Sequence, residues 1–356
     1  MKVIALIRYD RLGASSRMRF MQYFQTLDQM GVEVCMHPLF SDDYVRSLQA
    51  GKRNKWAIAL AYLRRIALLL RLPSDSLFWV EKDALPWLPA WLEMLLLRRS
   101  RAYVLDYDDA VFHTYDQHKN HWVRRLLGKK HAVLMRQATL VIAGNNYIAG
   151  YAKAQGAKWV EVLPTVIDLA RYSALPSKMD STNVSTLPVI GWIGQRATAH
   201  FLLTIETVIK RLAKEGNASF HAVGINPGEL GLPMKAIKWS EESEVDSIGQ
   251  FDIGIMPLED GPFERGKCGY KLIQYMACGI PVIASPVGVN TDIVEHGVNG
   301  YLANTAEEWE AALLQLTSSQ ALRQKMGQAG RRKVEQQFCV QTTAPRLAKM
   351  LYLAAK

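Results

Sequence analysis

The run from Phe251 to Leu302, FDIGIMPLEDGPFERGKCGYKLIQYMACGIPVIASPVGVNTDIVEHGVNGYL, constrains the fold of this chain more than any other stretch. FDIGIMPL carries β-branched Ile253 and Ile255 in a short apolar run closed by Pro257, which predicts a parallel strand buried on both faces. PVIAS, Pro281 to Ser285, predicts a second strand. Between them Leu272, Ile273, Met276 and Ala277 recur at helical spacing, and Gly279 followed by Pro281 is the expected stop. Strand, helix and strand with short connections require a right-handed parallel crossover. The loop entering the helix, GPFERGKCG, brings Gly266, Lys267, Gly269 and Lys271 to its N-terminus. Outward backbone N–H groups, the helix dipole and two ammonium groups there suit a phosphate. The competing reading is that the glycines only turn the chain and the lysines are solvated.

The same alternation fills the rest of the chain. The first half gives strand KVIALI, a glycine loop RYDRLGASSRMR, a helix to about Met30, then VEVCMHPL, SLFWVEK, AYVLDYDD and LVIAGN. The second half restarts at PVIGWIG and continues through SFHAVG, AIKW, FDIGIMP and PVIAS to helices after Ala303. With 356 residues and 49% apolar content there is enough material for two packed cores. The expected division is a first Rossmann-like domain at 1–172, a linker rich in Ser, Pro and Asn at 173–187, and a second Rossmann-like domain at 188–339. A last helix at about 340–356 is expected to return to the first domain. Two doubly wound α/β sheets facing a central cleft bind ligands beyond the carboxyl ends of their strands, so both glycine loops should line that cleft.

Cys35, Cys268, Cys278 and Cys339 form no CxxC pair and have no histidine at metal spacing, so neither zinc nor a disulfide framework is expected. MKVIALI runs directly into a polar loop and reads as a first strand rather than a leader, which points to the cytoplasm. Charge is distributed unevenly. Up to Thr165 there are 24 basic and 14 acidic residues, so the whole formal net charge of +10 lies in the first half. The basic residues alternate with large apolar ones in KRNKWAIALAYLRRIALLLRL (Lys52 to Leu72) and WLPAWLEMLLLRRSR (Trp87 to Arg101). Arg64 and Arg65 interrupt the longest apolar run, which excludes a spanning helix. Two readings remain. Either an interfacial helix sets Trp56, Tyr62, Trp87 and Trp91 among headgroups with arginines on anionic lipid, or Leu60 to Leu70 packs on a sheet with surface arginines. No recognition-helix or RNP-like pattern accompanies the charge, so nucleic acid is not expected as a partner.

FDIGIMPL, GKCGYKLIQYMACGIPVIASPVG and the NG at Asn299–Gly300 together resemble the donor-binding half of the retaining glycosyltransferases of the large family 4 type, which includes bacterial lipopolysaccharide and O-antigen enzymes. GASSRMR, VLDYDDAVF, VIAGNNYIAGYA and LPTVIDLARY extend the resemblance, more weakly, over the first half. It implies the GT-B architecture, with the nucleotide sugar on the second domain and the acceptor on the first. It also implies a peripheral enzyme at the inner membrane face that transfers a sugar to a lipid-linked or cell-surface saccharide, with no cofactor beyond its co-substrate.

Residue by residue, the resemblance places Arg196, in GWIGQRATAH, on the donor diphosphate, with Gly194, Thr198 and Gly224 beside it. The family's lysine a few positions later is replaced by Ala199, His200 and Phe201, so Lys267 is expected to supply that charge. Of the family's two glutamates eight residues apart, Gly266 and Gln274 hold the positions here, leaving Glu264 and the backbone from Gly266 through Cys268 to Gly269, with Lys271, for the sugar. Gln274 retains an amide able to hydrogen-bond a ribose diol. Arg196, Lys267 and Asp108 are the expected catalytic groups. Cations lower the barrier to departure of a diphosphate without a metal, and the Asp106-Tyr107-Asp108 triplet is read as acceptor-side rather than as a metal site. Gly13, Ser16, Arg17 and Asp109 are the expected acceptor contacts, although aspartates at a strand end also simply cap loops. Two other functions fit a similar architecture: a sugar-nucleotide epimerase, which would need richer carboxylate and histidine sets, and a non-catalytic sugar-nucleotide-binding partner, favoured by Gln274 in place of an acid.

Overall fold

The computed structural model describes residues 1–172 and 187–356, so the expected linker, apart from Leu187, lies outside the described residues. The chain forms two compact units. Unit 1 comprises Met1–Val166, Arg265–Cys268 and Val340–Lys356, and unit 2 comprises Ile167–Glu264 and Gly269–Cys339.

The apolar runs of the first half become six strands: β1 (Lys2–Tyr9), β2 (Glu33–Phe40), β3 (Leu77–Glu81), β4 (Ala102–Tyr107), β5 (Leu140–Ala143) and β6 (Val160–Val162). They form one parallel sheet in the order β2-β1-β3-β4-β5-β6. All residues of β3, β4 and β5 are buried, as a sheet covered on both faces demands. The chain winds outward in both directions from β1, so the strand order reverses between β1 and β3.

Helix Lys55–Arg71 covers the β2 end of this sheet. The Asn54 side chain caps it by accepting from the Trp56 and Ala57 N–H groups at 3.0 and 3.2 Å. One face of this helix packs on the sheet, as the second reading expected, and the other is exposed. Leu69 is in the core while Trp56, Leu60 and Leu63 are exposed. Tyr62 is held inward by a bond from its hydroxyl to the Pro86 carbonyl at 2.5 Å. Arg65, expected at the surface, is buried and donates to the carbonyls of Ile7 and His37 at 2.9 and 2.7 Å. A guanidinium with five donors can satisfy strand-end carbonyls that water does not reach. The last helix, Val340–Ala354, belongs to unit 1, where Thr343 shares a 2.9 Å hydrogen bond with Tyr23.

Unit 2 repeats the plan with β7 (Val189–Ile193), β8 (Ser219–Val223), β9 (Lys235–Ile237), β10 (Ile253–Met256), β11 (Val282–Ala284) and β12 (Gly300–Leu302), all parallel in the order β12-β11-β10-β7-β8-β9. The predicted strand, helix and strand appear as β10, helix Tyr270–Ala277 and β11. Gly191 leaves room for a ring: a Cβ there would lie 2.1 Å from the side chain of Phe251. The strand order reverses between β7 and β10.

Candidate active site

In open α/β sheets, ligands settle beyond the carboxyl ends of the strands where the order reverses. In unit 2 that point lies between the ends of β7 and β10. Gly194 follows β7, and a Cβ on it would come within 3.0 Å of Lys271 Cε. The Lys271 ammonium lies 5.5 Å from the centroid of the Trp192 ring, within cation–π range. Gly224, after β8, has φ +93°, and a Cβ there would meet the Gly194 carbonyl oxygen at 2.4 Å. The two strand-end turns therefore pack glycine on glycine, so neither glycine adds a side chain between Lys271 and the Trp192 ring.

Arg196 opens the short helix Arg196–Ala199 next to this point. Its side chain is 90% exposed and pairs with Glu229 at 3.2 Å. An exposed pair of this kind holds a guanidinium weakly, so a diphosphate can displace the carboxylate. Thr198, on the same turn, donates to the Gln195 carbonyl at 3.1 Å. Gly269, at φ +65°, is the N-cap of helix Tyr270–Ala277, and Glu264 lies half-buried on helix Pro262–Arg265. Gln274 is placed differently from these. It is only 3% exposed, and its amide donates to Glu244 Oε1 at 2.9 Å and to the Tyr172 hydroxyl at 3.3 Å. Both amide hydrogens are thus engaged inside unit 2, with Glu244 also accepting from Trp239 Nε1 at 2.8 Å.

In unit 1 the reversal falls between β1 and β3, and β3 ends at Glu81 and is followed by Lys82 and Asp83. Ser16 donates to Glu81 Oε2 at 2.6 Å, and the same oxygen accepts the Arg8 N–H at 2.9 Å. Gly13 and Arg17, like Ser16, are buried, and Arg17 Nη1 donates to the Arg11 carbonyl at 3.0 Å. Asp83 is clamped by Arg8 Nη2 at 2.5 Å and Lys130 Nζ at 2.8 Å. Burial alone would raise its pKa, but Lys130, Arg8 and His131 outweigh burial and hold the carboxyl well below the usual range. Asp108, just past β4, lies 2.8 Å from Lys82 Nζ. There too burial is outweighed, by Lys82 and a hydrogen bond from Ser15, so Asp108 stays a carboxylate. Asp109 beside it is half-buried. Asp106, the other end of the DYD triplet, points into the core and pairs with Arg19 Nε at 2.7 Å.

Gly266, Lys267 and Cys268 fall in unit 1 although helix Tyr270–Ala277 belongs to unit 2. Asn145 Nδ2 donates to the carbonyls of Gly266 and Lys267 at 2.9 and 3.0 Å, and a Cβ on Gly266 would lie 2.2 Å from the Cβ of Ala110. That brings Lys267 to the loop carrying Asp108 and Asp109. Among the described residues no group of three His, Cys, Asp or Glu side chains is placed to hold a metal ion.

The sequence reading missed Lys82. It and Trp87 are the non-glycine residues with positive φ, 64° and 62°, among those described. The left-handed region costs an ordinary L-residue about 1–2 kcal/mol. The signal was a charged triplet of alternating sign, EKD, set directly against the apolar run LFWV.

Residues 187–319 match the family Glycosyl transferases group 1. This segment is a group 1 glycosyltransferase domain. It contains β7 through β12, Arg196, Lys271 and the strand-order reversal of unit 2. The chain is 34% identical over 77 residues to the N-acetyl-alpha-D-glucosaminyl L-malate synthase of Bacillus anthracis, a match covering 21% of this chain and 20% of that protein. It is 29% identical over 133 residues to the amylovoran biosynthesis glycosyltransferase AmsK of Erwinia amylovora, covering 36% and 32%. The matches thus span a fifth to a third of those relatives. Among solved structures, HepE of Anabaena in complex with UDP and glucose covers 99% of this chain and 100% of its own at TM-score 0.72 and 16% identity. WaaG, a glycosyltransferase involved in lipopolysaccharide biosynthesis, covers 99% of each at TM-score 0.68 and 14% identity. The two parallel six-stranded sheets are those of the GT-B fold.

Proposed function

We propose that this protein is a metal-independent, retaining glycosyltransferase that moves a sugar from a nucleoside-diphosphate sugar to a lipid-linked saccharide at the cytoplasmic face of a membrane, in the synthesis of a bacterial surface polysaccharide. The observation that carries the reading is the strand-order reversal in unit 2. There Gly194 and Gly224 add no side chain beside Lys271, and Arg196 stands with only a weak surface partner, inside the segment that matches group 1 glycosyltransferases. The complexes of HepE with UDP and glucose support a uridine nucleotide as the first donor to try.

Departure of a nucleoside diphosphate leaves negative charge on its terminal phosphate. Arg196 and Lys271 are cations on unit 2 that would steady that charge, and Lys267 is a third on the chain. In unit 1, Asp108 is held ionised by Lys82. It would accept a hydrogen bond from an acceptor hydroxyl or steady developing positive charge on the sugar.

A membrane-face acceptor is supported by a repeated pattern in unit 1. Three helices each expose a tryptophan and the leucine four residues on: Trp56 and Leu60, Trp91 and Leu95, Trp122 and Leu126. Residues four apart share one helix face. Basic side chains lie close in sequence to each pair, at Lys55 and Arg64, Arg98 and Arg99, and Arg124 and Arg125. Indoles and leucines ringed by cations suit the boundary of an anionic bilayer. No helix among the described residues is long and apolar enough to cross a membrane.

The test is thermal melting with UDP-, GDP-, ADP- and dTDP-sugars, repeated on Arg196→Ala and Lys271→Ala. A ligand at a hundred times its Kd adds about 2.7 kcal/mol, or roughly 5–11 °C for a domain of this size. Both substitutions should abolish the shift while leaving the unliganded melting temperature in place. No shift with any nucleotide sugar would overturn the reading.

A further inference from the structure

Unit 1 carries a second strand-order reversal, and Lys82 stands at its carboxyl end with a backbone that a lysine adopts at a cost. Glycine or asparagine would take φ 64° more readily. The conformation is held from several directions: the Lys82 N–H donates to the Asp106 carbonyl at 2.9 Å, the Asp83 N–H to the Glu81 carbonyl at 2.7 Å, and the Asp83 carboxylate is locked by Arg8 and Lys130. Strain maintained in this way belongs to positions whose side chain has a task. Here the strained residue aims an ammonium that is only 8% exposed at Asp108 Oδ1, 2.8 Å away, and at Ser15 Oγ, 3.0 Å away. An ammonium has three hydrogens. Among the described residues one is donated, to Ser15 Oγ, and the charge pairs with Asp108 Oδ1, a buried oxygen that accepts no hydrogen bond, so a hydrogen remains to be given.

We propose that Lys82 and Asp108 together form the subsite that grips a saccharide hydroxyl of the acceptor, with Lys82 donating its remaining hydrogen to the hydroxyl oxygen and Asp108 accepting the hydroxyl hydrogen. The proposal rests on the reading of unit 1 as the acceptor side. A hydroxyl donates and accepts at one atom, so a fixed ammonium beside a fixed carboxylate matches it, whereas a simple anion is matched by the ammonium alone. Lys82 binds and positions; it makes or breaks no bond. Arg19 and Asp106 also face Asp108, from helix Ala14–Arg19 and from β4, but they are engaged with each other. Lys82 and Ser15 remain as the partners that fix the Asp108 carboxylate.

The test uses the full chain with UDP-glucose as donor probe and a panel of methyl hexopyranosides as acceptor probes. Lys82→Met should raise the acceptor KM at least tenfold while the UDP-glucose Kd, measured by calorimetry, holds within twofold. Lys82→Arg should recover part of the loss. Asp108→Asn added to Lys82→Met should cost less than twofold more, because the pair acts as a unit. Lys82→Gly, which suits the backbone, serves if the methionine variant does not fold. An acceptor KM within twofold of wild type in Lys82→Met overturns the proposal, and so does a parallel loss of UDP-glucose affinity, which would mark a purely structural ion pair. If the wild type releases no UDP, the transferase reading fails separately. Saturation transfer to the same glycosides then decides: a signal present in wild type and lost in Lys82→Met supports the subsite, and equal signals, or none in wild type, overturn it.

Discussion

Replacing Lys130 with methionine removes one cation from the centre of unit 1 and leaves its partners behind. Lys130 Nζ lies 2.8 Å from Asp83 Oδ2, 2.9 Å from Glu93 Oε2 and 2.6 Å from the Leu85 carbonyl, and all three side chains are sealed from solvent. Methionine fills nearly the same volume, so the expected loss comes from charge rather than from a cavity. Breaking a buried ion network from one side costs about 3–5 kcal/mol, because uncompensated carboxylates remain in the interior. For a domain of roughly this size that is ~6–20 °C of melting temperature. The deficit should depend on pH with a definite sign. Burial already raises the Glu93 pKa in spite of Lys130, and loss of that cation raises it further and removes part of what depresses Asp83. A carboxyl whose folded pKa is raised stabilises below the unfolded value, about 4.3 for glutamate, and that contribution disappears as pH rises through the folded pKa. The depressed Asp83 of the wild type works oppositely, losing stability as pH falls. Differential scanning calorimetry of both proteins should therefore show the full deficit at pH 8 and a smaller one at pH 5. A deficit under about 2 °C at pH 8, or one that grows on acidification, would refute this account of the network.

Gln274→Glu sets a carboxylate against Glu244 Oε1, now 2.9 Å from the amide nitrogen, and should cost ~1–3 kcal/mol at pH 7.5. The new carboxyl has a raised folded pKa, so melting curves of variant and wild type should converge towards pH 5. Gly191→Ala drives a methyl group to within 2.1 Å of the Phe251 ring, an overpacking cost of ~1–3 kcal/mol that should lower the urea midpoint with the m-value unchanged. Replacing Trp56, Trp91 and Trp122 together with serine should abolish cosedimentation with phosphatidylglycerol vesicles while shifting the melting temperature by less than about 3 °C, since all three indoles are exposed. Undiminished cosedimentation would remove these helices from the membrane contact.

The strands of both sheets were legible where a run of four or more apolar residues stood between turn residues, as in KVIALI, LFWVEK and FDIGIMP. Edge strands β6 and β12 were not. Each has three residues, and in β6 Glu161 breaks the run, so neither leaves a pattern above its surroundings. The glycines at Gly224 and Gly269 were legible as turns because glycine carries a left-handed backbone cheaply. The charged interior of unit 1 was not. Arg8, Asp83, Glu93 and Lys130 are brought together only by the strand order, and charged residues scattered over more than a hundred positions read in sequence as surface. Arg65 was misread for the same reason: its partners are carbonyls of β1 and β2, which no side-chain pattern reveals. Gln274 shows the converse limit, since its place in a motif fixed its position on helix Tyr270–Ala277 but not the direction of its amide.

Unit 1 begins at Met1 yet takes in Arg265–Cys268 and Val340–Lys356. On a ribosome the six strands of its sheet emerge early, but the surface that Val340–Ala354 covers stays open until some 340 residues have been joined. Tyr352, whose hydroxyl donates to the carbonyl of Met30 at 3.1 Å, closes a loop spanning nearly the whole chain. Contacts of such separation are costly to form and late to arrive. For most of its synthesis the first unit therefore has to persist as an open sheet with unmet apolar surface, the kind of intermediate that chaperones shelter. Truncation short of Val340 should accordingly injure the unit whose sequence begins farthest from the cut.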